Sequence, residues 1–212
     1  MRQNESVVPF ALKSKVLSVA KQLMELKINP LTQGNISARE PGMDFIVITP
    51  HDFSYQDMVE EDLVVVDLEG NIVEGVRQPS SETPVHCAVY KAKPHVHGVI
   101  HSEPIYANAF GIINKPIEPV FVNMAIDVGG AVPIMPFADS GNEDFGEEML
   151  KVMGEMNAVV WANHGLLTIG TTLENAFHCT VTVELGAKMY HLALLHGEPY
   201  RIPDEKISTL IG

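Results

Sequence analysis

His97-Gly98-Val99-Ile100-His101-Ser102-Glu103-Pro104 is an apolar run that delivers a histidine and a carboxylate, two residues apart, to the end of a strand. Side chains alternate faces along a strand, so His101 and Glu103 are expected to point the same way, within reach of one ion. Two further segments carry matching chemistry. Upstream, Pro79-Ser80-Ser81-Glu82 opens a helix; downstream, Trp161-Ala162-Asn163-His164-Gly165 closes another apolar strand. Together they offer two imidazoles and two carboxylates. A catalytic divalent metal needs such a set, three or four N/O ligands with room left for substrate.

Working outward, Phe10 to Ile28 places Leu12, Val16, Val19, Leu23 and Met24 near a 3.6-residue period, which predicts an amphipathic helix stopped by Asn29-Pro30. Leu31 to Ser37 reads as a small polar loop, and Asp44 to Thr49 as a strand ended by Pro50. Leu63 to Leu68 is a β-branched run whose turn, Glu69-Gly70-Asn71, leads into Ile72-Val73 as a hairpin. Ser80 or Ser81 is expected to cap a helix from Glu82 to Lys93, with Pro94 breaking the chain before the central strand. Pro104 suits the first turn of a helix reaching Ile113.

Short apolar segments, Val120 to Val122 and Val132 to Met135, precede an acidic helix from Glu143 to Met156. A strand from Ala158 to Trp161 then turns at Asn163-His164-Gly165 into Leu166 to Ile169. Thr171-Thr172-Leu173-Glu174 has the pattern of a capping box for a long helix running towards Leu195. Hairpins alternating with lone helices favour an α+β class, an antiparallel sheet flanked by helices, over a doubly wound parallel sheet.

The 212 residues, 46% of them hydrophobic, suffice for one sizeable core, and 1–212 reads as a single domain. A net charge of -13 without a basic cluster argues against nucleic acid and anionic membrane as partners. No apolar run approaches spanning length. The N-terminus lacks the order of a secretory signal, and Cys87 and Cys179 sit among apolar, helix-like residues, so a reduced cytoplasmic protein with two buried thiols is expected.

Gly34-Asn35-Ile36-Ser37, Ile48-Thr49-Pro50, Pro79-Ser80-Ser81-Glu82, Val99-Ile100-His101-Ser102-Glu103-Pro104 and Asn163-His164-Gly165-Leu166, in this order and at these separations, resemble the class II aldolase/adducin family, and within it the L-fuculose-1-phosphate aldolase branch. The resemblance implies a three-layer α/β/α sandwich with a mainly antiparallel sheet, assembled as a homotetramer with metal sites at subunit interfaces. It also implies a zinc-dependent lyase that cleaves a ketose 1-phosphate to dihydroxyacetone phosphate and an aldehyde. Family roles carry over to Asn35, Ser80 and Ser81 as the phosphate site, which Gly34 is expected to join, to Glu82 as the acid/base, and to His101 and His164 as metal ligands. Sibling activities on the same scaffold are a pentulose-phosphate 4-epimerase and a sugar-acid phosphate decarboxylase; glutamate after the serine pair favours the aldolase. A metal-free, adducin-like assembly module is the non-catalytic alternative.

The chemistry is coherent from below. A divalent cation can stabilise the enediolate left by carbon–carbon cleavage without a Schiff-base lysine. Glu82 can carry the proton, given a pKa tuned towards neutrality. A serine pair at a helix start suits a phosphate, and Gly34 permits close backbone approach.

Three positions depart from the family pattern. Glu103 stands where the family has the second histidine of His-x-His. It is read as the third ligand, in a His101, Glu103, His164 shell that makes Mn²⁺ or another divalent ion more competitive with zinc; as a mere charge at a helix end, it would stabilise that end by roughly 0.3–1 kcal/mol. His51-Asp52 follows Thr49-Pro50 where a glycine is usual, placing a carboxylate near the phosphate. Phe137 stands at the position of a family tyrosine near the aldehyde. Of the remaining histidines, His51, His86, His95, His178, His191 and His196 are read as surface or satisfied helix residues, and His97 as structural.

Overall fold

The computed structural model describes residues 6–141 and 144–211. Its eight strands are β1 (Asn35–Ala38), β2 (Phe45–Ile48), β3 (Val64–Asp67), β4 (Ile72–Glu74), β5 (Gly98–Ser102), β6 (Ile134–Met135), β7 (Ala158–Trp161) and β8 (Gly165–Gly170). They form one sheet in the order β4-β3-β2-β1-β5-β8-β7-β6. Every pairing is antiparallel except that of the short edge strand β6 with β7. The helices are α1 (Phe10–Glu25), α2 (Thr83–Ala92), α3 (Ile105–Ile112), α4 (Val122–Val128), α5 (Phe145–Met153), α6 (Leu173–Leu194) and α7 (Asp204–Ile211).

The strands are apolar on both faces because helices cover both. Ile46, Ile48, Val64, Val66, Val99, Val159 and Trp161 pack beneath α2 and α5. Their neighbours Val47, Val65 and Ile100 face α1 and the start of α6, and Ala158, Val160 and Leu166 face α3, α4 and α6. Period-2 alternation along each strand therefore splits the core in two, giving the three-layer α/β/α arrangement that the resemblance implies.

Most elements lie where the sequence places them, and the differences have local causes. Asn35 to Ser37 is strand, not loop. Backbone pairing with β2 on one side and β5 on the other supplies what its polar composition lacks. Val122 begins a short helix ended by Gly129 at φ 92°. Helix α5 starts at Phe145; Glu143 lies outside the described residues. The α6 cap uses Asn175 instead of Glu174: the Thr172 hydroxyl accepts from the Asn175 N–H, and the Asn175 amide donates back to Thr171. Helix α2 starts at Thr83 after a turn in which the Ser80 hydroxyl accepts from the Glu82 N–H. Among the described residues no helix is long and apolar enough to cross a membrane.

Candidate active site

Strand β5 lies at the centre of the sheet, with His101 opposite Asn35 of β1 on one side and Leu167 of β8 on the other. His164 enters from the tight turn between β7 and β8, where Asn163 takes a left-handed φ of 60° and the His164 N–H donates to the Trp161 carbonyl. Glu82 is the residue before α2. Its segment is stitched to the end of β2 by a Pro50–Pro79 bridge and by the Ser80 N–H on the Thr49 carbonyl. The three elements meet around a cavity of about 290 Å³ lined by Gly34, Asn35, Ser80, Ser81, Glu82, His101, Glu103 and His164, together with Thr32, Gln33, Pro50, His51 and Asp52. Larger clefts lie elsewhere, but the only cluster of three potential metal ligands among the described residues is here.

That cluster is Glu82, His101 and His164, whose donor atoms all lie within 4.8 Å of one another. Glu82 Oε2 is 2.5 Å from His101 Nδ1, and Glu82 Oε1 is 3.2 Å from His164 Nε2. Both ring nitrogens of His101 are buried without a hydrogen-bond partner, so the 2.5 Å approach lacks hydrogen-bond alignment. What points to a cation is the convergence of three donor atoms from separate elements on one point, with the ring nitrogens of His101 engaged by no other polar group. Two histidines and a glutamate are also an accepted shell for a catalytic zinc. The His101 ring is stacked on Trp161 at 4.6 Å. Gly165 is required beside it, since a Cβ there would stand 2.4 Å from His101 Nε2 and 2.6 Å from the Ser102 carbonyl.

Burial alone would raise the Glu82 carboxyl, but His101, the His164 contact and the Asn35 amide outweigh it and hold the carboxyl well below the usual range. That direction is opposite to the tuning towards neutrality expected of Glu82 from the sequence. The contact with Glu82 in turn raises His164 against the effect of burial, helped by the charges of Glu82 and Glu103.

Glu103 stays outside the cluster. Strand β5 ends at Ser102, and Pro104 already caps α3, so the alternation that would place residues 101 and 103 on one face stops one residue short. Half-buried, Glu103 lines the same cavity instead. Ser80 is buried and Ser81 exposed at the rim, and Asn35 turns its amide N–H to Glu82 at 2.8 Å. The Gly34 carbonyl accepts from Tyr55 at 2.7 Å. His51, read as a surface residue, is exposed but lines the cavity, as does Asp52 at a left-handed φ of 45°. Phe137 is 73% exposed. Sequence reasoning missed Thr32, Gln33 and Trp161; only the placement of Trp161 at the end of the strand leading to His164 could have signalled its role.

A family model for the class II aldolase and adducin N-terminal domain matches residues 14–191. The L-fuculose phosphate aldolase of Haemophilus influenzae is 30% identical over 202 residues, which cover 95% of this chain and 92% of that one. The 5-methylthioribulose-1-phosphate/5-deoxyribulose-1-phosphate aldolase of Rhodospirillum rubrum is 29% identical over 202 residues, 95% of this chain and 90% of the other. A solved structure of an L-fuculose 1-phosphate aldolase superposes with a TM-score of 0.91 at 31% identity, covering 98% of this chain and 96% of that one. With the family model spanning residues 14–191 and nearly the whole chain covered by these relatives, this protein belongs to the class II aldolase and adducin family, as a class II aldolase, a lyase.

Proposed function

We propose that the enzyme cleaves a ketose 1-phosphate, L-fuculose 1-phosphate or a related deoxyketose phosphate, to dihydroxyacetone phosphate and an aldehyde. The observation that carries this reading is the convergence of Glu82, His101 and His164 in a cavity that Gly34, Ser80 and Ser81 also line. The substrates named for the relatives, a fuculose phosphate, 5-methylthioribulose 1-phosphate and 5-deoxyribulose 1-phosphate, support the substrate class.

Zinc is the proposed cation, held by His101, His164 and Glu82, with manganese as the alternative. Glu103 stands at the cavity wall as a second carboxylate. Bound there, the cation would polarise the ketone and hold the negative charge left when the carbon–carbon bond breaks. Glu82, an anion at rest, is placed to accept a proton and return it to the carbon of the three-carbon fragment. Ser81 and the start of α2 receive the phosphate, since free amide groups and a hydroxyl at a helix N-terminus favour an anion. Trp161 keeps water from one face of His101. A homotetramer in the cytoplasm, with sites completed at subunit interfaces, is the assembly and location that go with this reading.

A panel of ketose 1-phosphates and 5-phosphates tests it, with released dihydroxyacetone phosphate as the readout after loading with zinc or manganese. Release from one or more 1-phosphates is expected. Turnover confined to a 5-phosphate without carbon–carbon cleavage would overturn the reading.

A further inference from the structure

Behind the cavity a chain of buried polar groups runs into the core between α2 and β1. Glu82, at the N-cap of α2, is followed at intervals of four by His86 and Tyr90 on the helix, while Asn35 and Ser37 lie two residues apart on β1. Four helix residues advance about 6 Å and two strand residues about 6.6 Å, so the two rows stay in step and interdigitate. The Asn35 amide N–H donates to Glu82 Oε2 at 2.8 Å, and Asn35 Oδ1 is 2.6 Å from His86 Nε2. His86 Nδ1 is 2.6 Å from the Ser37 hydroxyl, which is 2.9 Å from the Tyr90 hydroxyl. All five residues are buried. The far end is fixed by Arg39, whose guanidinium lies 4.7 Å from the centre of the Tyr90 ring and donates to the carbonyls of Tyr90, Pro94 and Val96.

Counting donors and acceptors gives this chain one direction. The Glu82 carboxylate can only accept, so Asn35 meets it with its NH₂ and turns its carbonyl oxygen to His86. His86 must then carry its proton on Nε2, which leaves Nδ1 an acceptor for the Ser37 O–H. Ser37, its own proton engaged, accepts from Tyr90. His86 is wholly buried, and its two ring nitrogens meet only an amide oxygen and a hydroxyl, surroundings that favour the neutral ring this order requires.

We propose that His86 is a positioning residue. It locks the Asn35 amide so that the NH₂, not the carbonyl, faces Glu82, and thereby presents the Glu82 carboxylate to the cation bound with His101 and His164. Without the Nε2–H donor, Asn35 can rotate its carbonyl towards Glu82, placing two acceptors face to face and turning the carboxylate away. Groups that orient a metal-binding side chain in this way change affinity or activity by about 10–100-fold when removed. A histidine that merely fills the core would affect stability alone.

The inference rests on the reading of Glu82, His101 and His164 as the cation site, and the test separates the two. Zinc affinity is measured by competition with a chelator of known strength for the unmodified protein, His86→Phe and His86→Gln, each verified as folded by circular dichroism. About 10–100-fold weaker binding is expected in His86→Phe, with recovery of most of the loss in His86→Gln, whose amide N–H can reach Asn35. Folded His86→Phe with undiminished affinity overturns the inference while leaving the site reading intact. An unmodified protein that takes up neither zinc nor manganese sinks both. Should His86→Phe fail to fold, ¹⁵N NMR of the zinc-loaded unmodified protein decides: His86 must be the neutral Nε2–H tautomer, and an Nδ1–H tautomer or a charged ring overturns the inference.

Discussion

Replacing Gly34 with alanine tests how closely the loop before β1 is packed against the central strand. Gly34 has φ 73°, and a Cβ there would stand 2.4 Å from Asn29 Nδ2 and 2.5 Å from the His101 carbonyl oxygen. Asn29 is fully buried and already donates to that carbonyl at 3.3 Å, so it has little room to withdraw. The carbonyl belongs to β5, which is paired on both sides. Left-handed backbone costs an alanine about 1–2 kcal/mol, and overpacking a rigid site adds about 1–3 kcal/mol, so Gly34→Ala should lose roughly 2–5 kcal/mol. Gly42 supplies the control. Its φ is 80°, with nothing within 4 Å of an added Cβ, so Gly42→Ala should lose only the backbone part, about 1–2 kcal/mol. Any gain from stiffening the unfolded chain is common to both variants. Urea unfolding at one protein concentration, with chelator present, reads the difference. With a slope on the order of 2 kcal/mol/M, the midpoint should fall by roughly 1–2.5 M for Gly34→Ala and 0.5–1 M for Gly42→Ala. Equal shifts would refute the close approach of Gly34 to β5.

Metal content should separate the carboxylates: Glu82→Ala and His101→Ala lose bound zinc, while Glu103→Ala keeps most of it, and loss in Glu103→Ala equal to that in His101→Ala would restore Glu103 as the third ligand. Ser81→Ala is expected to raise KM for the phosphorylated ketose while costing at most about 1 kcal/mol of stability; an unchanged KM would remove Ser81 from the phosphate site. Acid should destabilise the metal-free protein. His86, with its folded pKa lowered to about 3 from 6.5, contributes stability that is full above pH 6.5 and is lost as pH falls towards 3. His164, raised by Glu82, acts in the opposite sense, adding stability below its raised pKa. Comparison with His86→Gln, which keeps His164, isolates the first effect, and Tm profiles that fall in parallel between pH 7 and 4 would contradict it. Sedimentation should find a homotetramer, and a fully active monomer would disprove shared interface sites.

The layers of the fold were legible because hydrophobic periodicity is a local property: β7 runs from Ala158 to Trp161, as its apolar run predicts, and α1 departs from its predicted span only in the last turn. Strand β1 was not legible, since Asn35 and Ser37 are polar for a reason that lies in α2, far along the chain. For the same reason His86 looked like an ordinary helix residue; its partners are set by a register between helix and strand that no single segment displays. Glu103 shows the opposite failure, an alternation extended one residue past the end of its strand. Helix α7 was missed because its single buried residue, Ile207, leaves almost no periodic signal.

The central position of β5 also bears on how the chain folds. Its two partners are distant in sequence, joining His101 to Asn35 on one side and to Leu167 on the other, whereas β2–β3, β3–β4 and β7–β8 join neighbours along the chain. Closing long loops is slow because their entropy must be lost before distant contacts form. The outer hairpins are therefore expected early and the two β5 seams late. Until both seams close, Glu82, His101 and His164 remain on separate stretches of chain, so a partly folded species has no place for the cation. A cation that binds only the finished sheet adds its binding free energy to the native state alone, and its uptake during refolding should follow the slowest phase.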